Sequence, residues 1–266
     1  MIHLVAVAGL ATVQDGGRHG RMHEGVPPGG ALVPELLARA NAAVGNPDGE
    51  AAIELFGAIT LQGAFGMLVA ADDGAACELG EPDRSDPWRI ACVGARVRYV
   101  AVRGGIDVPT VLGGRGTLLG AGLGGHEGRA LRRGDALRVG ALPERPRRSL
   151  APPDLDAPIR VVPGPDVDRF GTGAIDALLA STFQVSERSD RVGVRLSGTP
   201  LRGGDAADAS APMTVGAIQI PPSGLPIILG PDHPTTGGYP VLATVVGASV
   251  GALAARRIGA AVRFAL

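Results

Sequence analysis

Glycine and proline set the grain of this sequence. Its 266 residues include 42 glycines and 22 prolines, with neither a collagen period nor a low-complexity tract. They cut the apolar residues into short runs, so a long helix has little uninterrupted chain to form in. Runs at residues 2–13, 52–56, 59–62, 66–70, 75–79, 95–102 and 136–139 read as strands. So do 159–162, 183–185, 193–196, 217–220, 226–229, 241–246 and 261–264. Short strands at this spacing, each closed by Gly, Pro, Asp or Asn, point to a barrel or sandwich. Three segments keep helical spacing instead: residues 32–44, 174–180 and 249–256. In the first, Pro34 suits the opening turn, Leu32, Leu36, Leu37, Ala40 and Val44 share a face, and Gly45-Asn46-Pro47 stops the helix.

The chain divides on composition into an N-terminal β lobe at 1–142, a Pro/Arg-rich linker at 143–158 and a C-terminal β lobe at 159–266. Both lobes run strand, loop, helix, hairpin, which suggests a duplication. Aromatic residues make up only 3%, so Val, Ile, Leu and Ala must fill both cores.

The charge pattern excludes more chemistry than it suggests. Net charge is −1, which offers no electrostatic footprint for nucleic acid or an anionic membrane. All 25 basic residues are arginine. Without lysine there is no Schiff base, no P-loop lysine and no covalent attachment point for biotin. Cys77 and Cys92 lack metal spacing and read as buried, reduced thiols of a cytoplasmic protein. The N-terminus reads as a first strand and not a signal peptide, and the apolar run 241–255 is too short to span a bilayer.

Several motifs fail on context. Gly247-Ala248-Ser249-Val250-Gly251 matches a nucleophile elbow, but neither acid nor histidine follows Ser249. Gly120-Ala121-Gly122-Leu123-Gly124-Gly125 matches a dinucleotide fingerprint without a preceding strand. His19 and His23 are four apart in a stretch too rich in Gly and Pro for a zinc-binding helix, so no metal is expected.

Two segments carry candidate chemistry. In 186–196, Arg188, Arg191 and Arg195 offer guanidinium forks that bind carboxylates, and Asp190 can orient one of them. The plainer reading is a surface salt-bridge cluster. Residues 216–246 hold a polar loop, Asp232 to Pro240, between apolar runs, with hydroxyls and bare Gly-Gly backbone suited to a small polar ligand. The plainer reading there is a long hairpin loop whose hydroxyls serve its own backbone.

These stretches also carry a family resemblance. Gly9 to Arg18, Gly25-Val26-Pro27-Pro28-Gly29-Gly30-Ala31, Gly104-Gly105-Ile106-Asp107-Val108-Pro109, Leu123-Gly124-Gly125, Ser189-Asp190-Arg191, Gly216-Ala217-Ile218-Gln219 and Thr235-Thr236-Gly237-Gly238-Tyr239-Pro240 resemble the C-type subunit of 5-oxoprolinase. That family is also labelled allophanate hydrolase subunit 2, or biotin-dependent carboxyltransferase family protein. The resemblance covers nearly the whole chain. It implies a mainly β fold of two cyclophilin-like β-barrel lobes with a few short helices. It also implies a hydrolase component, inactive alone, that works beside a B-type partner (an allophanate hydrolase subunit 1 homologue) and often an A-type partner. Such an assembly opens 5-oxoproline to glutamate, with ATP used by the complex. In that setting Arg188 and Ser189 with Thr235, Thr236, Gly237, Gly238 and Tyr239 would bind substrate, and Asp190, Arg191 and Gln219 would be the catalytic set.

Two alternatives follow from the same family. One is a carboxyltransferase acting on a urea-like amide, with biotin carried by another protein. The other is a non-catalytic antagonist that pairs with a kinase-inhibitor-like homologue of the B-type partner. One departure stands out: members commonly read Gly-Ser-Arg-Ser-Thr where this chain has Gly113-Gly114-Arg115-Gly116-Thr117.

Overall fold

The computed structural model describes residues 1–64, 66–79, 87–203 and 210–266. They form two compact units, residues 1–19 with 29–153, and residues 20–28 with 154–266. Each is built on an eight-stranded sheet, one a half-barrel and the other a nearly closed barrel, so the chain is mainly β with barrel-like sheets.

The first unit is organised by a long antiparallel pair, β1 (Ile2–Gln14) and β2 (Ala52–Gly63), in register from Ile2 opposite Gly63 to Gln14 opposite Ala52. The sequence reading breaks the second strand near Gly57; the structure runs it through. Gly57 lies opposite Gly9, and both have positive φ, +131° and +93°. A Cβ on either would lie 2.1 Å from a carbonyl oxygen of the other strand, so the glycines let the two backbones close and the strand continue where a turn was expected.

The sheet is completed by β3 (Met67–Ala71), β4 (Ala76–Leu79), β5 (Trp88–Ala91), β6 (Arg98–Val102), β7 (Ile106–Asp107) and β8 (Ala136–Val139). The order is β4-β3-β6-β2-β1-β8-β7, with β5 also on β2. Ile2, Leu4, Val13, Ile53, Leu55, Ile59, Leu61, Val100 and Leu137 are among its buried aliphatic core. The sequence pattern does not mark β5. It is a four-residue strand whose register comes from Ile59 and Leu61 across from Ile90 and Trp88.

Helix α1 (Pro34–Val44) has proline at its start and no side-chain cap. Its entry is held from the sheet. The Leu32 N–H donates to Glu54 Oε2 at 2.8 Å, the Val33 N–H donates to the Tyr99 hydroxyl at 2.9 Å, and that hydroxyl donates to Glu54 Oε2 at 2.6 Å. At the other end arginines serve the carbonyls. Arg147 Nε donates to Ala43 O at 2.8 Å and Arg103 Nη1 to Val44 O at 2.9 Å, while the Arg148 N–H reaches Ala42 O at 2.8 Å. The Pro/Arg-rich stretch therefore divides: its residues up to Pro153 belong to the first unit, against α1.

The second unit contains β9 (Ile159–Pro163), α2 (Ala174–Ala180), β10 (Phe183–Val185), β11 (Gly193–Ser197), β12 (Ala211–Pro212), β13 (Ala217–Gln219), β14 (Ile227–Leu229), β15 (Thr236–Gly237), β16 (Val241–Val245), α3 (Ser249–Ala255), β17 (Ala261–Val262) and β18 (Phe264–Ala265). The order is β17-β10-β11-β14-β13-β16-β9-β18, with β12 and β15 paired separately. The expected duplication holds in element order and not in pairing. The strand before α1 pairs with the strand after it, whereas β9 pairs with β16 and β18 and β10 pairs with β11 and β17. Among the described residues no helix is long and apolar enough to cross a membrane.

Candidate functional site

The candidate residues sit at the ends of neighbouring strands β11, β14, β13 and β16 in the second unit. The turn entering β11 consumes several of them. Asp190 Oδ1 accepts the N–H groups of Val192 at 2.9 Å and Gly193 at 3.0 Å. The Ser189 hydroxyl donates to Arg195 O at 3.1 Å and accepts the Arg195 N–H at 3.0 Å. Both side chains thus shape the turn that aims Arg188 and Arg191.

The two arginines differ. Arg188 is exposed, and its guanidinium has no hydrogen bond or ion pair among the described residues. Arg191 is 5% exposed and joined to Asp232 by two parallel bonds, Nε to Oδ2 at 2.8 Å and Nη2 to Oδ1 at 2.9 Å. The Asp232 N–H also donates to Arg191 O at 3.1 Å, so this pair ties the turn before β11 to the loop after β14.

That loop leads to the second group. Gln219, at the end of β13, is buried; its Nε2 donates to Tyr239 O at 3.3 Å and to Met213 Sδ at 3.2 Å. Met213 is held by its own N–H on Thr235 O at 3.0 Å. Thr236 and Gly237 form β15 opposite Pro212 and Ala211, so residues read as free loop are part of a two-stranded ladder. A Cβ at Gly237 would come 3.0 Å from Gln219 Nε2, tight against the end of that side chain. Tyr239 is 43% exposed.

The structure therefore brings together Arg191 with Asp232, and Gln219 with Thr235, Gly237 and Tyr239. Sequence reasoning gave no role to Asp232, His233 or Met213. His233 has no exposed surface; its Nδ1 faces Pro234 O at 2.7 Å, and its Nε2 has no hydrogen-bond partner among the described residues. With Nδ1 as donor, Nε2 presents a lone pair as a hydrogen-bond acceptor. The signal lay in Asp232-His233-Pro234, where a proline fixes the carbonyl that orients the ring.

Other sequence motifs have ordinary surroundings. Ser249 does open a helix just after a strand, but its Oγ accepts the Arg160 N–H at 3.2 Å. His19 Nε2 lies 3.0 Å from Gly16 O, and among the described residues no three His, Cys, Asp or Glu side chains converge as a metal site. The run Gly113 to Gly125 forms isolated bridges and a short 3-10 turn, without the strand–turn–helix cradle of a nucleotide site. The cysteines are half-buried and not joined in a disulfide, and burial pushes the Cys92 thiol up from its ordinary pKa.

The sequence matches the family described as "Carboxyltransferase domain, subdomain A and B" over residues 24–266. The chain belongs to this carboxyltransferase family. The chain is 35% identical to the 5-oxoprolinase C subunit of Escherichia coli (strain K12), a match covering 99% of this chain and 90% of that protein. It is 32% identical to "Urea amidolyase" of Lachancea kluyveri over 88% of this chain and 15% of that much longer protein. The crystal structure of TTHA0988 superposes with a TM-score of 0.82 at 30% identity, covering all of this chain and 55% of the other, so this chain spans about half of that structure. Within this carboxyltransferase fold the β11–β16 strand ends hold a buried cation–carboxylate pair, a buried amide and a buried imidazole in consecutive turns.

Proposed function

We propose that this chain is the C-type component of a heteromeric, ATP-dependent 5-oxoprolinase, acting with a B-type partner (an allophanate hydrolase subunit 1 homologue). The observation that carries the reading is the 35% identity to a protein named as the C subunit of 5-oxoprolinase, over nearly the full length of both chains. The reaction adds water across the ring amide of 5-oxoproline and releases glutamate.

In this reading Arg188, unpaired and exposed, meets the substrate carboxylate. Gln219 and the Gly237-Gly238 backbone face the ring carbonyl, with Thr235, Thr236 and Tyr239 around it. Arg191 acts through Asp232, holding the loop that carries His233, and Ser189 and Asp190 keep the turn in shape. Positioning and charge stabilisation are then this chain's contribution. The absence of lysine leaves no P-loop here, and ATP use belongs to the complex as a whole.

The test is co-purification with the B-type homologue, with and without an A-type homologue, followed by an assay for ATP-dependent glutamate release from 5-oxoproline. Glutamate formation that needs this chain supports the proposal. Turnover of a urea-like amide only with a biotinylated carrier protein and bicarbonate would replace it with a carboxyltransferase reading, to which the urea amidolyase similarity points. A tight complex with no turnover would leave a binding partner or antagonist.

A further inference from the structure

We infer that a cavity in the first unit, walled by Val108, Val111, Leu137, Gly124, His126 and Glu127, binds a small carboxylate with an apolar body. The cavity encloses about 400 Å³, within the range of small-molecule sites. It is built wholly from the first unit and shares no residue with the set proposed above to handle 5-oxoproline.

Its two sides differ chemically. One is apolar, from Val108, Pro109, Val111, Ala136 and Leu137. The other is the loop 124–128, where the backbone N–H groups of Gly124, His126 and Glu127 have no acceptor among the described residues. Glu127 holds φ at +57°, and Leu112, beside Val111, holds +53°. These are the only two non-glycine residues with positive φ among those described. Each such backbone costs on the order of 1–3 kcal/mol, and here both fall on or beside the cavity wall. Backbone N–H groups in left-handed turns of this kind make concavities that hold anions.

A buried positive charge lies behind the same wall. Arg18 is 1% exposed. Its Nε donates to Val111 O at 3.4 Å and its Nη2 to Gly116 O at 2.5 Å, both neutral acceptors. Its Nη1 has no partner among the described residues, and a Cβ built on Gly124 would lie 2.7 Å from Nη2, so the guanidinium bonds one residue of the cavity wall, Val111, and packs close to another, Gly124. Arg18 forms no ion pair among the described residues. Taking a cation out of water without a counter-charge costs several kcal/mol. An anion in the adjoining cavity offsets that cost.

The carboxylates at the cavity are themselves engaged by cations, Glu127 and Asp135 sharing Arg129. Asp107 lies 3.4 Å from Arg138, and Glu127 lies 2.9 Å from Arg129. A buried guanidinium with no ion pair among the described residues, beside three such N–H groups, matches a singly charged, planar oxyanion. Phosphate, with close to two charges, is poorly matched. The apolar side then takes the body of the ligand.

The experiment is an amide-resolved NMR titration of the full chain, using hexanoate as probe, hexanamide as its uncharged counterpart and inorganic phosphate as the competing anion. Hexanoate is expected to shift the His126 and Glu127 amide signals saturably, and hexanamide to bind about tenfold more weakly or worse. Arg18→Gln is expected to weaken hexanoate at least tenfold. Should that variant fail to fold, Val111→Trp, which fills the cavity from its apolar side, is expected to abolish the shifts while the remaining spectrum is preserved. Equal binding of hexanamide, binding of phosphate but not hexanoate, or unmoved His126 and Glu127 signals would each overturn the proposal.

Discussion

Arg191 and Asp232 face each other through two parallel hydrogen bonds of 2.8 and 2.9 Å, with side chains only 6% and 9% exposed. They are 41 residues apart in sequence and join two strand ends. Removing one partner leaves the other charged and buried. Arg191→Ala and Asp232→Ala should each cost about 3–5 kcal/mol in urea unfolding, and the double variant much less than their sum. Additive single costs would show that the pair does not act as a unit.

Tyr99 is the keystone of the α1 entry. Its hydroxyl accepts the Val33 N–H and donates to Glu54. Tyr99→Phe keeps the ring, takes this acceptor from the Val33 N–H and removes one donor from Glu54, which keeps the Leu32 N–H, so a loss of about 1–3 kcal/mol is expected. Hydrogen exchange should accelerate first at Leu32 and Val33; uniform acceleration across the unit would argue for a packing effect instead.

Gly116 tests the departure from the family pattern. A Cβ there would sit 2.7 Å from Gln14 Oε1 and 2.9 Å from Asp15 Oδ1, so Gly116→Ala should destabilise by about 1–3 kcal/mol. Gln14 Oε1 is buried without a hydrogen-bond partner among the described residues. A serine hydroxyl at position 116 can donate to it, so Gly116→Ser should be more stable than Gly116→Ala by about 1 kcal/mol. Equal melting temperatures for the two variants would remove this account of the orphaned oxygen.

Asp135 sets an acid limit. Arg129 donates to both its oxygens, at 2.8 and 2.9 Å, and holds this carboxyl below the ordinary aspartate range. With the folded pKa lowered, the stabilisation is fully present above the unfolded value of about 3.9 and is lost as pH falls through the folded value. Asp135→Asn should lower the melting temperature at neutral pH and flatten its fall between about pH 4 and 2. A parallel displacement of the whole curve would mean that ionisation of Asp135 is not linked to folding.

Much of the architecture was already written in local sequence. The Gly and Pro spacing marks the short strands, and Pro34 and Gly45 bracket α1 closely. The element positions of α2 and α3 follow from period and small-residue runs, because both are local properties of the chain. Two kinds of feature were not local. The first is continuity across glycine: only the pairing of Gly9 with Gly57 tells a bend from a turn. The second is what a polar side chain does. Asp190 and Ser189 serve a turn, while Asp232, 41 residues along the chain from Arg191, takes one of the three arginines that Asp190 was read as able to orient.

The same division separates composition from site chemistry. The lysine-free, glycine-rich sequence by itself determined a β fold and ruled out whole reaction classes, since those follow from which side chains exist. Only the tertiary structure decided which charges are cancelled. Arg191 and Arg18 are both buried arginines, yet among the described residues one meets a carboxylate and the other only backbone carbonyls. Whether a buried charge is paired depends on what the fold carries to within a few ångströms of it, and sequence distance does not set that separation.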